Sequence, residues 1–258
     1  MTSSSTFSLA RRLRAGEPVY SGWCALGIPI VAEVVARAGF SAVAIDMQHG
    51  MWDVAAAADA IAAIHHAGAA PMLRVPAGDF AMASRALDFG AQGIIAPMID
   101  SPADARALVA ASKYPPLGQR SWGPMRATML MGIDQKDYLR QANELTITLA
   151  MIETRAALDN LDAIAGTEGI DGLFLGPSDL SIALSQGTEL TPHSDEVEDG
   201  FERMAAAARK AGKIVGAYCR NAERAVALAK RGVHFLAVGS DLNMLRAGIA
   251  AEVKLLQD

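Results

Sequence analysis

Short, almost purely apolar runs alternate with longer Ala- and Leu-rich stretches from one end of this 258-residue chain to the other. Eight runs have this character: VYSGWCAL, FSAVAID, APMLRV, GIIAPMI, TITLAMIE, DGLFLG, KIVGAYC and HFLAVG. Being nearly continuous in apolar residues, they predict strands covered on both faces, as in a parallel sheet. The segments between them, such as PIVAEVVARA, DVAAAADAIAAIHHA and NAERAVALAKR, predict helices. Most helices stop at a glycine just ahead of the next run: Gly39, Gly68, Gly90, Gly169, Gly212 and Gly232. Glycine there suits the left-handed residue that closes a helix before an αβ turn. Eight βα units in a chain of this length predict one α/β domain over residues 1–258, a TIM (β/α)8 barrel rather than an open doubly wound sheet. No GxGxxG follows the first strand.

Two segments break the rhythm. The N-terminal MTSSSTFSLARRLRAGEP has the Ser- and Arg-rich composition of an organelle transit peptide. A short helix covering the bottom of the barrel suits it better, with Phe7, Leu9 and Leu13 along one side. Residues 115–144, PPLGQRSWGPMRATMLMGIDQKDYLRQANE, form an insertion before the fifth strand, of a length typical of lids, binding loops and subunit contacts. Trp122, Arg120 and Arg126, close together in it, favour a binding or interface role.

Composition narrows the function. With 52% hydrophobic residues the chain can bury a large core, and a net charge of -5 without a dense Lys/Arg face argues against nucleic acid. No apolar run reaches the ~18 residues that a membrane span requires. Cys24 and Cys219 both lie in apolar segments, which predicts buried thiols and a reducing, cytoplasmic setting.

In a TIM barrel the active site sits at the carboxyl ends of the strands, so polar residues closing an apolar run point to it. Asp46 and His49 close strand two, Arg74 closes strand three, Glu153 closes strand five, and Ser178 and Asp179 follow strand six. Each has a bland alternative: a lone Asp at a strand end is commonly a helix N-cap, and a lone Arg commonly pairs with a neighbouring acid. Convergence favours chemistry, because capping requires neither Glu153 nor His49 nor an arginine at the buried end of strand three. Glu153 and Asp179 are oxygen donors suited to a hard divalent cation such as Mg²⁺ or Mn²⁺. Such a cation could act as a Lewis acid on the ketone of a 2-oxo acid. His49, oriented by Asp46, is then a candidate base for the adjacent C–H, and Arg74 a candidate stabiliser of the enolate charge. Lys113, Lys136, Lys210, Lys213, Lys230 and Lys254 fall in helices, turns or the insertion, which argues against imine chemistry.

These residues carry a resemblance that runs from about residue 7 to the end. The motifs are AGF and ID..H within residues 38–49, LRVP at 73–76, GAQGIIAPMIDS at 90–101, YPPLGQR at 114–120, MIET at 151–154 and GIDGLFLGPSDLS at 169–181. The chain resembles the HpcH/HpaI aldolase/citrate lyase family, in particular its metal-dependent class II pyruvate aldolases. The resemblance implies a phosphoenolpyruvate/pyruvate-type barrel and reversible aldol addition between a pyruvate-type donor and an aldehyde. It implies that Glu153 and Asp179 bind Mg²⁺, Mn²⁺ or Co²⁺, that Asp46 and His49 form an acid/base dyad, and that Arg74 stabilises the enolate. It further implies that the backbone of Gly176, Pro177 and Ser178 holds the donor carboxylate at a helix start, with Trp23 and Gln48 as further substrate-binding positions. Two positions depart from the pattern: relatives often carry Glu at Gln48 and Gln at Met151. Neither is an expected ligand, and the departures point towards relatives that accept hydroxypyruvate as well as pyruvate. Family members assemble as hexamers, trimers of dimers, with the last helix packed on a neighbour. Here Leu242, Leu245, Ile249 and Val253 have the spacing for that, or for packing on their own barrel. Two other readings are a lyase acting on a CoA thioester or citrate-like acid, which would need a basic groove, and a non-enzymatic barrel, which would have lost a ligand carboxylate.

Overall fold

A computed structural model describes residues 9–257. Eight parallel strands close into a barrel in the order of the sequence: β1 (Val19–Cys24), β2 (Ala42–Asp46), β3 (Ala70–Arg74), β4 (Gly93–Ala96), β5 (Ile147–Ile152), β6 (Gly172–Leu175), β7 (Ile214–Cys219) and β8 (Phe235–Val238). β8 pairs with β1 to complete the ring. Each strand falls inside one of the eight expected runs, and the (β/α)8 barrel is confirmed.

Successive residues of a strand point to opposite faces, and the two faces form two cores. One fills the barrel and includes Ala44, Met72, Ile95, Leu149, Met151, Phe174 and Phe235. The other lies between barrel and helices and includes Val43, Ile45, Leu73, Ala150, Ile152, Leu173 and Val215. Both faces being dry is why the runs lack the alternation of a half-exposed sheet. The same parity makes Asp46, Arg74 and Glu153 inward-facing, two residues beyond Ala44, Met72 and Met151.

All six expected helix-ending glycines have positive φ, from 67° at Gly212 to 115° at Gly39. The N-terminal helix Leu9–Arg14 contributes Leu9, Ala10 and Leu13 to the interior core, as expected of a cover for the barrel bottom. Phe7 lies outside the described residues. No helix among the described residues is long and apolar enough to cross a membrane.

The insertion is built rather than loose. It holds two helices, Met125–Met131 and Gln135–Leu145, around a small core of Tyr114, Ala127, Tyr138 and Ala142. Arg120 departs from the binding role expected of it: it is buried, pairs with Asp88 (2.6 Å) and lies 4.6 Å from the Tyr114 ring centroid, so its charge serves the insertion's own packing. Trp122 packs on Tyr114 and Tyr138 yet stays 45% exposed, beside Met125 and Met129, which are also exposed.

The last helix, Asp241–Leu255, buries only its first residue. Asp241 accepts the main-chain N–H groups of Ala25 (2.9 Å) and Leu26 (3.1 Å), tying the helix start to the loop after β1. Leu242, Leu245, Ile249 and Val253 remain exposed, so the helix does not lie on its own barrel.

Candidate active site

Asp46 and Arg74 are register partners at the last positions of β2 and β3. Arg74 donates from Nε to Asp46 Oδ1 (2.8 Å) and from Nη2 to Oδ2 (2.7 Å), a fork closed on a carboxylate. The guanidinium lies 4.9 Å from the centroid of the Trp23 ring, whose Nε1 donates to Asp46 Oδ2 (3.2 Å). Burial pushes the Asp46 carboxyl up, but Arg74, the His49 amide and the Trp23 indole outweigh it and hold the carboxyl below its ordinary value. Asp46 is therefore a buried anion. The bland alternative for Arg74, pairing with a neighbouring acid, holds while the residue still lines the mouth.

Asp46 Oδ1 also accepts the main-chain N–H groups of Gln48 (3.1 Å) and His49 (3.2 Å), an Asx-type turn. Asp46 thus orients His49 through its main chain and not its ring. His49 is exposed and lines the cavity. Gln48 stands beside the turn instead of on the cavity wall, its side-chain oxygen buried and without a hydrogen-bond partner.

Glu153 follows β5 directly and is 1% exposed. Its Oε1 accepts the main-chain N–H of Met98 (2.8 Å), whose left-handed φ of 55° is uncommon for a side chain of that size. Its Oε2 is buried with no hydrogen-bond partner. Burial raises the carboxyl to about 7, the Met98 amide opposing and the charge of Asp179 adding. A Cβ at Gly176 would fall 2.3 Å from that Oε2 and 2.5 Å from Met151 Cε, so only glycine leaves room beside the orphan oxygen. Gly176 is the N-cap of the helix Pro177–Leu184, and Asp179 lies in its first turn without capping it. The first-turn amides are available to an anion.

A cavity of about 290 Å³ joins these elements. Trp23, Asp46, His49, Arg74, Asp179 and the Gly176–Ser178 turn line it, with Glu153 beneath Gly176. Sequence reasoning missed Tyr218, Ser240 and Met98. Tyr218 was legible by parity, since it stands inward on β7 two steps past Gly216.

The donor set fits a hard divalent cation. A buried carboxylate oxygen lacks a partner, a second carboxylate acts on it, and Gly176 keeps the space beside it open. No group of three or more His, Cys, Asp or Glu side chains suited to a metal occurs among the described residues. Two protein carboxylates leave coordination positions for substrate and water oxygens.

Lys113 proves to be fully buried, but at the opposite end of the barrel. Its Nζ donates to Asp171 (2.7 Å) and to the main-chain oxygens of Thr146 (2.9 Å) and Asn143 (3.1 Å), beside the starts of β5 and β6. No lysine lines the cavity.

A (β/α)8 barrel with a carboxylate-bearing, arginine-backed cavity at its carboxyl end is the class that fold and site define. Residues 21–247 match the family model HpcH/HpaI aldolase/citrate lyase, and the chain belongs to that family. It is 40% identical to a hydroxypyruvate/pyruvate aldolase of Rhizorhabdus wittichii, over 90% of this chain and 91% of that protein. It is 36% identical to a 4-hydroxy-2-oxo-heptane-1,7-dioate aldolase of Salmonella dublin, over 93% of this chain and 90% of the relative. A crystal structure of a family member from Burkholderia cenocepacia superposes with a TM-score of 0.88 at 32% identity, covering 97% of this chain and 99% of the other.

Proposed function

We propose that this protein is a divalent-metal-dependent aldolase, a carbon–carbon lyase that adds the enolate of pyruvate or hydroxypyruvate to an aldehyde and catalyses the reverse cleavage. The observation that carries the metal requirement is the unpartnered Oε2 of Glu153, buried in reach of the Asp179 charge. Glu153 and Asp179 would hold Mg²⁺, Mn²⁺ or Co²⁺, which when bound would polarise the donor's keto oxygen as a Lewis acid.

The remaining work falls to the chain itself. The main-chain amides of Ser178 and the rest of the first helical turn receive the donor carboxylate, favoured by the helix N-terminus, while the Gly176 N–H is held by the Ile152 carbonyl (3.1 Å). Arg74 is held rigid by Asp46 and Trp23, so its charge waits where negative charge grows on the enolate oxygen and needs no reorganisation. Asp46, ionised and paired, keeps Arg74 and the Gln48–His49 turn in place. His49, exposed on the cavity wall, exchanges the proton between the donor C–H, the aldehyde oxygen and solvent.

Both cysteines are free and buried, which supports a reducing, cytoplasmic setting. The exposed apolar residues of the last helix support packing on a neighbouring subunit in a hexamer. A sedimentation mass of six chains is expected, and a monomer would contradict it. A steady-state assay of pyruvate with an aldehyde tests the reaction. Activity should vanish in excess EDTA and return with Mg²⁺, Mn²⁺ or Co²⁺; full activity in EDTA would exclude the metal role.

A further inference from the structure

The scheme above leaves the aldehyde open, and Tyr218 is a cavity residue with no part in it. Tyr218, penultimate in β7, is half-buried and lines the cavity. Its ring meets Trp23 edge-on, with centroids 5.5 Å apart and planes at 79°. Trp23 is itself fixed by its bond to Asp46 and by the Arg74 guanidinium above it, so packing sets where the phenol lies. The hydroxyl has no hydrogen-bond partner among the described residues. Its contact with Trp23 places the phenol beside the Asp46–Arg74 pair. Burial raises its pKa, so the group stays a neutral O–H donor near neutral pH.

The rest of the wall limits what this donor can meet. Arg74 is the one Lys or Arg side chain lining the cavity, and its fork is committed to Asp46. Among the described residues, no other Lys or Arg lines the cavity to receive an anionic tail. At about 290 Å³ the space is also small for a donor acid plus a long acceptor.

We infer that Tyr218 selects the acceptor: its hydroxyl hydrogen-bonds a hydroxyl carried by a short, uncharged aldehyde whose carbons pack on Trp23. The inference rests on the aldolase reading. A site built around a polar contact rejects an analogue that lacks the matching group. Glycolaldehyde and propanal, similar in size, differ in that group.

The test compares kcat/KM for the two aldehydes, with pyruvate as donor, in the unaltered enzyme, Tyr218→Phe and Tyr218→Leu. The unaltered enzyme should prefer glycolaldehyde, and the preference should fall about tenfold in either variant, the size of one hydrogen bond. The fall should come from glycolaldehyde, with propanal turnover reporting that the variant is folded; one folded variant suffices. Exchange of the pyruvate methyl hydrogens for deuterium, measured in the unaltered enzyme, requires no aldehyde. Its absence overturns the aldolase reading and this inference with it. Exchange together with an unchanged preference in a folded variant overturns this inference alone.

Discussion

Each end of the barrel carries a buried cluster of charges, and the two are finished differently. At the amino end, Lys113 places its three ammonium hydrogens on Asp171 and two main-chain oxygens. Asp171 in turn receives Arg14 (2.8 Å) and the Thr148 amide (2.9 Å). At the carboxyl end the Asp46–Arg74 pair is equally complete, but Glu153 beside it keeps one oxygen dry and unpartnered. A satisfied buried network needs only the fold to explain it; a buried carboxylate left half satisfied needs something more. Burial does not separate Lys113 from Glu153, since both are 1% exposed. Completeness does.

Exchanging the unfinished group should have the largest effect on turnover. Glu153→Gln should lower kcat by about 10³-fold, the scale of losing a principal electrostatic element of an active site. Its thermal midpoint should hold or rise, because an uncompensated buried carboxylate is removed. A variant that loses activity by unfolding would place Glu153 with the amino-end cluster. Next, His49→Ala should reduce kcat by roughly 10²-fold while donor affinity, measured by calorimetry, changes little. Unchanged turnover would remove His49 from the proton transfer.

The finished cluster should respond in the opposite sense. Lys113→Met should cost roughly 3 kcal/mol in urea unfolding, by stranding Asp171 and two carbonyls, and leave kcat of the folded enzyme near its original value. A large loss of kcat in a stable Lys113→Met protein would break the division between the ends. The smallest effect is in acid. The Asp46 carboxyl is held below its ordinary value of 3.8, so its stabilising contribution is complete above that pH and lost as pH falls through the lower, folded value. Asp46→Asn should flatten that part of the stability profile between about pH 5 and 2. An unaltered acid slope would show that the pair with Arg74 contributes nothing.

Much of this was legible because a barrel turns sequence order into geometry. The eight runs, their glycine stops and the polar residues that close them were enough to bring Asp46, Arg74, Glu153 and Asp179 to one mouth. Strand order alone did that, whatever the side-chain contacts. What escaped depended on partners distant in sequence. Nothing near Lys113 announces that Asp171, 58 residues on, will bury it. Arg120 reads like a binding residue until Asp88, on the helix Phe80–Phe89, closes on it. The Met98 amide that anchors Glu153 depends on a local left-handed turn with no glycine to mark it. Asp46 holds the amide of His49 and not the ring, a choice made by the turn and invisible in the spacing of the two residues.

The central claim is that the dry oxygen of Glu153, together with Asp179, is a place for one divalent cation. Mn²⁺ binding followed by electron paramagnetic resonance tests it without reliance on turnover. One site per chain should appear in the unaltered protein and disappear in both Glu153→Gln and Asp179→Asn. Equal Mn²⁺ affinity in the folded Glu153→Gln protein would contradict the account.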